Sequence, residues 1–187
     1  MHEVVKFNAG DRTFTAPVPS ERKQAFFELN NFGLIMPDRY RGAWPKDLQF
    51  VGLLKLSVSS VLTLVNFSDQ QTIQRLHQLE SALQEKNIHH IIVDAHDAET
   101  FFTAARLLLE TTKPSYLHCS SGANRTGIVT MITSLMQQQL DGKIVDENVV
   151  TELLSEAISY GFDFDKPDRK KDMEDVLVLA IISNLIR

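Results

Sequence analysis

The feature that most constrains this chain is an alternation through its middle of short apolar runs with longer stretches of helical period. Residues 60–66 hold Val61, Leu62, Leu64 and Val65 in a run too short for a helix, which reads as a buried strand. Residues 72–86 then place Ile73, Leu76, Leu79 and Leu83 three or four apart, the spacing of one helical face. The pattern repeats. Residues 90–93 are a strand candidate, and 99–110 are helical with Phe102, Ala105, Leu108 and Leu109 on one side. Lys113-Pro114 breaks that helix, 115–118 is the next strand, and a loop of small residues leads into a helix over 126–140. A helix between successive strands returns the chain to the edge it left, so these strands run parallel. The expected fold is α/β, a central mainly parallel sheet with helices on both faces.

The flanks add to this frame. Residues 4–7 and 13–16 read as two short strands joined by a turn at Ala9-Gly10-Asp11. A short helix is expected over 48–55, and two more close the chain at 146–160 and 172–185, joined by a charged, Pro-containing linker and covering one face of the sheet. A chain of 187 residues suits one core, so 1–187 is read as a single domain. Hydrophobic residues make up 43%, too many for a disordered chain. Acids outnumber bases 24 to 19, for a formal charge of -5, which argues against bulk nucleic acid or anionic membrane as the main partner. The first ten residues contain no signal-peptide core, and the longest apolar run, 176–182, is far too short to span a bilayer. One cysteine excludes an intramolecular disulfide and fits a reducing compartment, so a soluble cytoplasmic protein is expected.

The chemistry concentrates in His118-Cys119-Ser120-Ser121-Gly122-Ala123-Asn124-Arg125-Thr126-Gly127, between a predicted strand and a predicted helix. That junction lies at the carboxyl end of a parallel sheet, where ligands bind. Small residues there let backbone N–H groups turn inward as an anion cradle, and the helix N-terminus adds partial positive charge. Ser120, Ser121, Gly122, Ala123 and Asn124 would line such a cradle, and phosphate fits it. Cys119 at its base would be favoured as thiolate and would lie in line with a bound phosphorus. Arg125 can return over the loop and present a planar fork to two phosphoryl oxygens, where the transition state gathers charge. Thr126 can hydrogen-bond the sulfur and help it leave. Gly122 and Gly127 permit the tight path.

His118, Cys119, Gly122, Arg125, Thr126 and Gly127 match the pattern H-C-x-x-G-x-x-R-[ST]-G, and the chain here resembles the protein tyrosine and dual-specificity phosphatases. Tyr40-Arg41-Gly42 followed by Trp44-Pro45 also resembles the opening of compact bacterial and fungal dual-specificity members, so the resemblance spans about residues 32–140. It implies phosphomonoester hydrolysis through a cysteinyl-phosphate, with an upstream aspartate that protonates the leaving oxygen and then activates water. Asp94 and Asp97 are the candidates. Asp97 precedes a helical pattern and suits an N-cap, whereas Asp94 directly follows a strand and is preferred. His96 between them is read as a loop histidine without a role. Arg41 is read as a structural ion pair or loop anchor, and His118 either as a tuner of the thiolate or as a packed strand-end residue.

No metal or other cofactor is expected, because the histidines form no ligand pattern with the cysteine and this chemistry needs none. The variable loop positions carry no charge, which argues against the inositol phosphates that some relatives hydrolyse. Gly122-Ala123-Asn124-Arg125-Thr126-Gly127 also resembles RNA 5′-triphosphatases, against which the acidic composition argues. A phosphotyrosine or mixed phosphoprotein substrate, or a small phosphomonoester, is expected. Two other classes remain: a sulfurtransferase carrying a persulfide, against which Arg125-Thr126-Gly127 argues, and a pseudophosphatase that binds phosphorylated partners without turnover.

Overall fold

The central apolar run forms strand β5 (Ser60–Val65), buried along its whole length. The structure, a computed structural model, describes residues 3–20, 31–46, 52–67 and 70–186, the side chains of 70 and 71 excepted. Because side chains alternate across a strand, β5 contributes to two cores. Leu62 and Leu64 face one side, where they join Leu117, Phe101, Ile128 and Ile132. Val61 and Val65 face the other, against Tyr116 and the Leu76, Leu79 and Leu83 stripe of helix α1 (Gln70–Glu85). A strand covered on both faces reads as one apolar run, which is why the pattern could be seen without its partners.

Five strands make the main sheet. Strands β3 (Gly33–Met36), β4 (Arg39–Gly42), β6 (His89–Asp94) and β7 (Ser115–His118) join β5 in the order β3-β4-β7-β5-β6. Strands β4, β7, β5 and β6 are mutually parallel where they pair, and β3 runs antiparallel to β4. Helices α2 (Ala98–Glu110), α3 (Asn124–Leu140), α4 (Glu147–Ser159) and α5 (Pro167–Ile182) build the larger core on the Leu62 side. The α/β expectation of a mainly parallel sheet with helices on both faces is met. Strands β1 (Val4–Ala9) and β2 (Arg12–Pro17) form a separate antiparallel hairpin, in which Phe7 faces Phe14 and both are fully buried against α4 and α5.

Several boundaries differ from the sequence reading. The sequence pattern shows no strand in residues 32–42, yet they form the β3–β4 hairpin, turning at Pro37-Asp38 with Asp38 at φ 60. The last helix begins at Pro167, not at 172. Pro167 occupies its first turn, where a missing N–H leaves nothing unpaired, so the proline expected in a linker starts the helix. Of the helix expected over 48–55, residues 52–55 are helical and the earlier ones lie outside the described residues. Among the described residues, no helix is long and apolar enough to cross a membrane.

Candidate active site

The loop between β7 and α3 is shaped from behind by hydrogen bonds to its own carbonyls. His118 Nδ1–H donates to the Cys119 carbonyl at 3.2 Å, and the Trp44 amide donates to that of Ser120 at 3.1 Å. Asn31 Nδ2 donates to the Ser121 carbonyl at 2.9 Å, and Arg41 Nη2 to that of Gly122 at 2.7 Å. In a planar trans peptide the N–H points opposite the C=O. Drawing these consecutive carbonyls toward their donors therefore turns the amides of residues 120–123 the opposite way, where that of Ala123 meets the Ser121 hydroxyl oxygen at 3.4 Å. Gly122 makes this path possible. Its φ is +71, and a Cβ there would lie 2.2 Å from the Gly42 carbonyl carbon, so no other residue fits against the end of β4.

Helix α3 starts at this loop with Ala123 as its N-cap and no side chain capping it, so its first-turn amides also face the loop. Cys119 is 4% exposed, at the floor of the loop. Arg125 is half-buried in the first turn of α3 and takes part in none of the ion pairs found among the described residues. Thr126, one residue on, is fully buried with its Oγ1 unpartnered. Asn124 turns its side chain elsewhere, accepting the Asp163 amide at 2.8 Å, so what it brings to the loop is backbone.

Arg41 serves as a loop anchor, the second of the two roles expected for it. It is 1% exposed, and its guanidinium carbon lies 4.1 Å from the centre of the Tyr160 ring. Burial pushes its pKa down to about 10, partly offset by Tyr160 and Cys119, so it remains a cation beneath the loop at neutral pH. His118 is both packed and hydrogen-bonded. The Trp44 ring meets it edge-on at 5.1 Å, Tyr116 stacks on it at 5.7 Å, and it is fully buried.

Burial pushes the His118 pKa from 6.5 to about 3, and His90 is lowered by the same cause. The unfolded chain therefore takes up protons below about pH 6.5 that the folded chain refuses. The stability present above that pH is lost as pH falls, by about 1.4 kcal/mol per pH unit for His118 until its folded pKa is approached, with His90 adding in the same direction. Urea unfolding at about pH 7 and about pH 5 should show this loss, with a shallower slope in His118→Gln. A wild-type stability that does not change over that interval would contradict the burial of a neutral imidazole.

The two aspartates stand in different settings. Asp97 is the N-cap of α2, accepting the Thr100 amide at 2.9 Å in a capping box, and this hydrogen bond, with that of the Thr100 hydroxyl, holds its carboxyl below the usual range. Asp94 ends β6, which is separated from β7 by β5, and so lies at the carboxyl edge of the sheet as the loop does. It accepts the Phe67 amide at 3.3 Å and stays 40% exposed. The His96 ring stands between them, 3.5 Å from Asp94 and 3.6 Å from Asp97. The sequence analysis does not single out Asn31, which holds the loop, Thr63, which hydrogen-bonds His118, or His90, which hydrogen-bonds Thr63 in turn. Thr63 is the polar member of the run Val61–Val65, and that was the signal available for it.

Comparison with known proteins places this architecture. A profile of the tyrosine phosphatase family matches residues 37–181. The chain belongs to that family. It is 27% identical over 109 residues to the probable tyrosine-protein phosphatase DG1060 of Dictyostelium discoideum, a match over 53% of this chain and 62% of that protein. Among solved structures it resembles P. aeruginosa TpbA, with a TM-score of 0.58 and 21% identity over 88% of this chain and 98% of that one. A Cys-to-Ser variant of TpbA in complex with pTyr gives 0.57 and 20%, over 88% and 97%. The core catalytic domain of the PP-IP phosphatase Siw14 of S. cerevisiae gives 0.56 and 17%, over 86% and 97%. At these identities the solved structures speak for the fold.

Proposed function

We propose that this protein, as one domain over 1–187, is a cysteine-dependent phosphatase that hydrolyses phosphomonoesters, with phosphotyrosine or mixed phosphoprotein substrates. One observation carries the reading: the carbonyls of 119–122 are each held by a donor, which turns the loop amides to the opposite side, where they would meet an oxyanion bound at Cys119. Such a cradle takes a tetrahedral oxyanion. In the first step Cys119 Sγ attacks phosphorus, the S–P bond forms, the ester P–O bond breaks, and the leaving oxygen takes a proton from Asp94. In the second, water attacks phosphorus, its proton returns to Asp94, and the S–P bond breaks with inorganic phosphate as product.

Residues 120–124 bind the phosphoryl oxygens through backbone amides, Arg125 closes over them with its planar fork, and the Thr126 hydroxyl, which makes no hydrogen bond to the resting sulfur, is free to turn to it as it departs. The uncharged side chains of the loop favour a singly phosphorylated group over a densely anionic one, and the pTyr complex of TpbA supports that choice. The single cysteine supports a cytoplasmic setting, where a catalytic thiol stays reduced. Turnover of para-nitrophenyl phosphate by the purified chain, and of phosphotyrosine over phosphoserine peptides, is the expected result. Inactivity on every aryl phosphate with Cys119 reduced would overturn the reading and leave a phosphate-binding module.

A further inference from the structure

A line of hydrogen bonds crosses three strands behind the loop. His90 Nε2 on β6 lies 2.8 Å from Thr63 Oγ1 on β5, and Thr63 Oγ1 lies 2.9 Å from His118 Nε2 on β7. His118 Nδ1 in turn lies 3.2 Å from the Cys119 carbonyl. Thr63 and His118 are register partners in the sheet, and both are fully buried. Resting on the phosphatase reading above, we propose that Thr63 and His90 are positioning residues: Thr63, itself held by His90, donates to Nε2 of the His118 ring and fixes the ring where its Nδ1–H anchors the peptide of the nucleophile.

The direction of the chain follows from its fixed end. A carbonyl only accepts, so His118 must carry its proton on Nδ1. Burial keeps this ring neutral, so it carries one proton and Nε2 is an acceptor. Thr63 must then donate to Nε2, and its oxygen is free to accept from His90 Nε2–H. The other end agrees. His90 Nδ1 is buried without a partner, and an unprotonated nitrogen there leaves no orphaned donor. Reversing every bond would set a ring lone pair against the Cys119 carbonyl and bury an unpaired N–H at His90, two penalties at once. Trp44 and Tyr116 clamp the ring, so rotation offers no escape. Valine would fill the place of Thr63 in a run that is otherwise apolar after Ser60; the hydroxyl's two partners are what distinguish threonine there.

The test reads the tautomer directly. In ¹⁵N-labelled wild-type protein, long-range ¹H–¹⁵N correlation should show His118 protonated at Nδ1. Thr63→Val removes the donor to Nε2 with little change in volume. It should leave the proton on Nδ1, where the carbonyl fixes it, move the Nε2 ¹⁵N resonance toward that of a free acceptor nitrogen, and lower kcat/KM for an aryl phosphate roughly tenfold, the effect of one lost buried hydrogen bond. Thr63→Ser should restore both, and His90→Phe should show a smaller loss with a smaller shift of that resonance. A wild-type ring protonated at Nε2 overturns the proposal, as does a Thr63→Val variant with unchanged Nε2 resonance and rate. Equal rate losses in Thr63→Val and Thr63→Ser with an unmoved Nε2 resonance would reduce Thr63 to packing, and an unaffected His90→Phe would remove His90 from the chain. The tautomer needs no turnover to be seen, so an inactive wild-type protein would sink the phosphatase reading while leaving this one to be decided by the spectrum.

Discussion

Cys119→Ser should remove turnover, by a factor on the order of 10⁴ or more, and leave inorganic phosphate bound. A serine hydroxyl at neutral pH offers no comparable anion, while the amides of 120–123 and the Arg125 fork are untouched by the change. The fold should persist, because Sγ and Oγ differ little in size and Cys119 forms no disulfide. Calorimetric titration with phosphate and a steady-state assay measure the two halves separately. Turnover near the wild-type rate would sink the mechanism. Loss of phosphate binding together with turnover would mean that the sulfur shapes the loop and does not merely attack from it. Arg125→Lys belongs beside it, with an expected loss on the order of 10²–10³-fold in kcat/KM, because a point charge cannot meet two equatorial oxygens at once. Full activity in that variant would place the oxygen-binding cation elsewhere.

The second large effect separates the two aspartates. Asp94→Asn should lower kcat by roughly 10²–10⁴-fold on a substrate with a poor leaving oxygen, and much less on para-nitrophenyl phosphate, whose leaving group hardly needs a proton. Asp97→Asn should leave the rate close to wild type. Asn caps helices as well as Asp does, and stability should change by less than about 1 kcal/mol. The settings of the two carboxyls support this choice. The Thr100 amide and hydroxyl hold the Asp97 carboxyl ionised, the wrong state for an acid, whereas Asp94 carries no such cap and ends its strand at the edge where the loop lies. A leaving-group-dependent loss in Asp97→Asn alone would reverse the assignment, and a loss in neither would direct attention to another proton source.

What could be read from the chain itself were the features written locally. Strand β5 shows as an apolar run because both its faces are covered, and α1 shows as a leucine stripe because one of its faces is. The ten-residue signature around Cys119 shows as a resemblance because the cysteine, glycine and arginine proposed to wrap one phosphate sit at set offsets along the chain. The β3–β4 hairpin escaped because four-residue strands with mixed polarity have no period to detect, and Pro167 misled because a proline that starts a helix looks like one that ends a linker.

The tertiary structure alone decided how the loop is held. Its carbonyls are bound by Asn31, Arg41 and Trp44, roughly 80 to 90 residues away in sequence, and by His118, whose own partner Thr63 comes from β5 and is held in turn by His90 of β6. A hydrogen bond to a backbone carbonyl asks only for a donor, so it leaves no residue-type signature at the receiving end. The parallel sheet brings the donors together because each crossover returns the chain to the same edge. The same holds for the aspartates: both stand in one short loop segment, and only the backbone path, which places Asp97 at the helix start and Asp94 at the strand end, gives one a cap to make and leaves the other exposed.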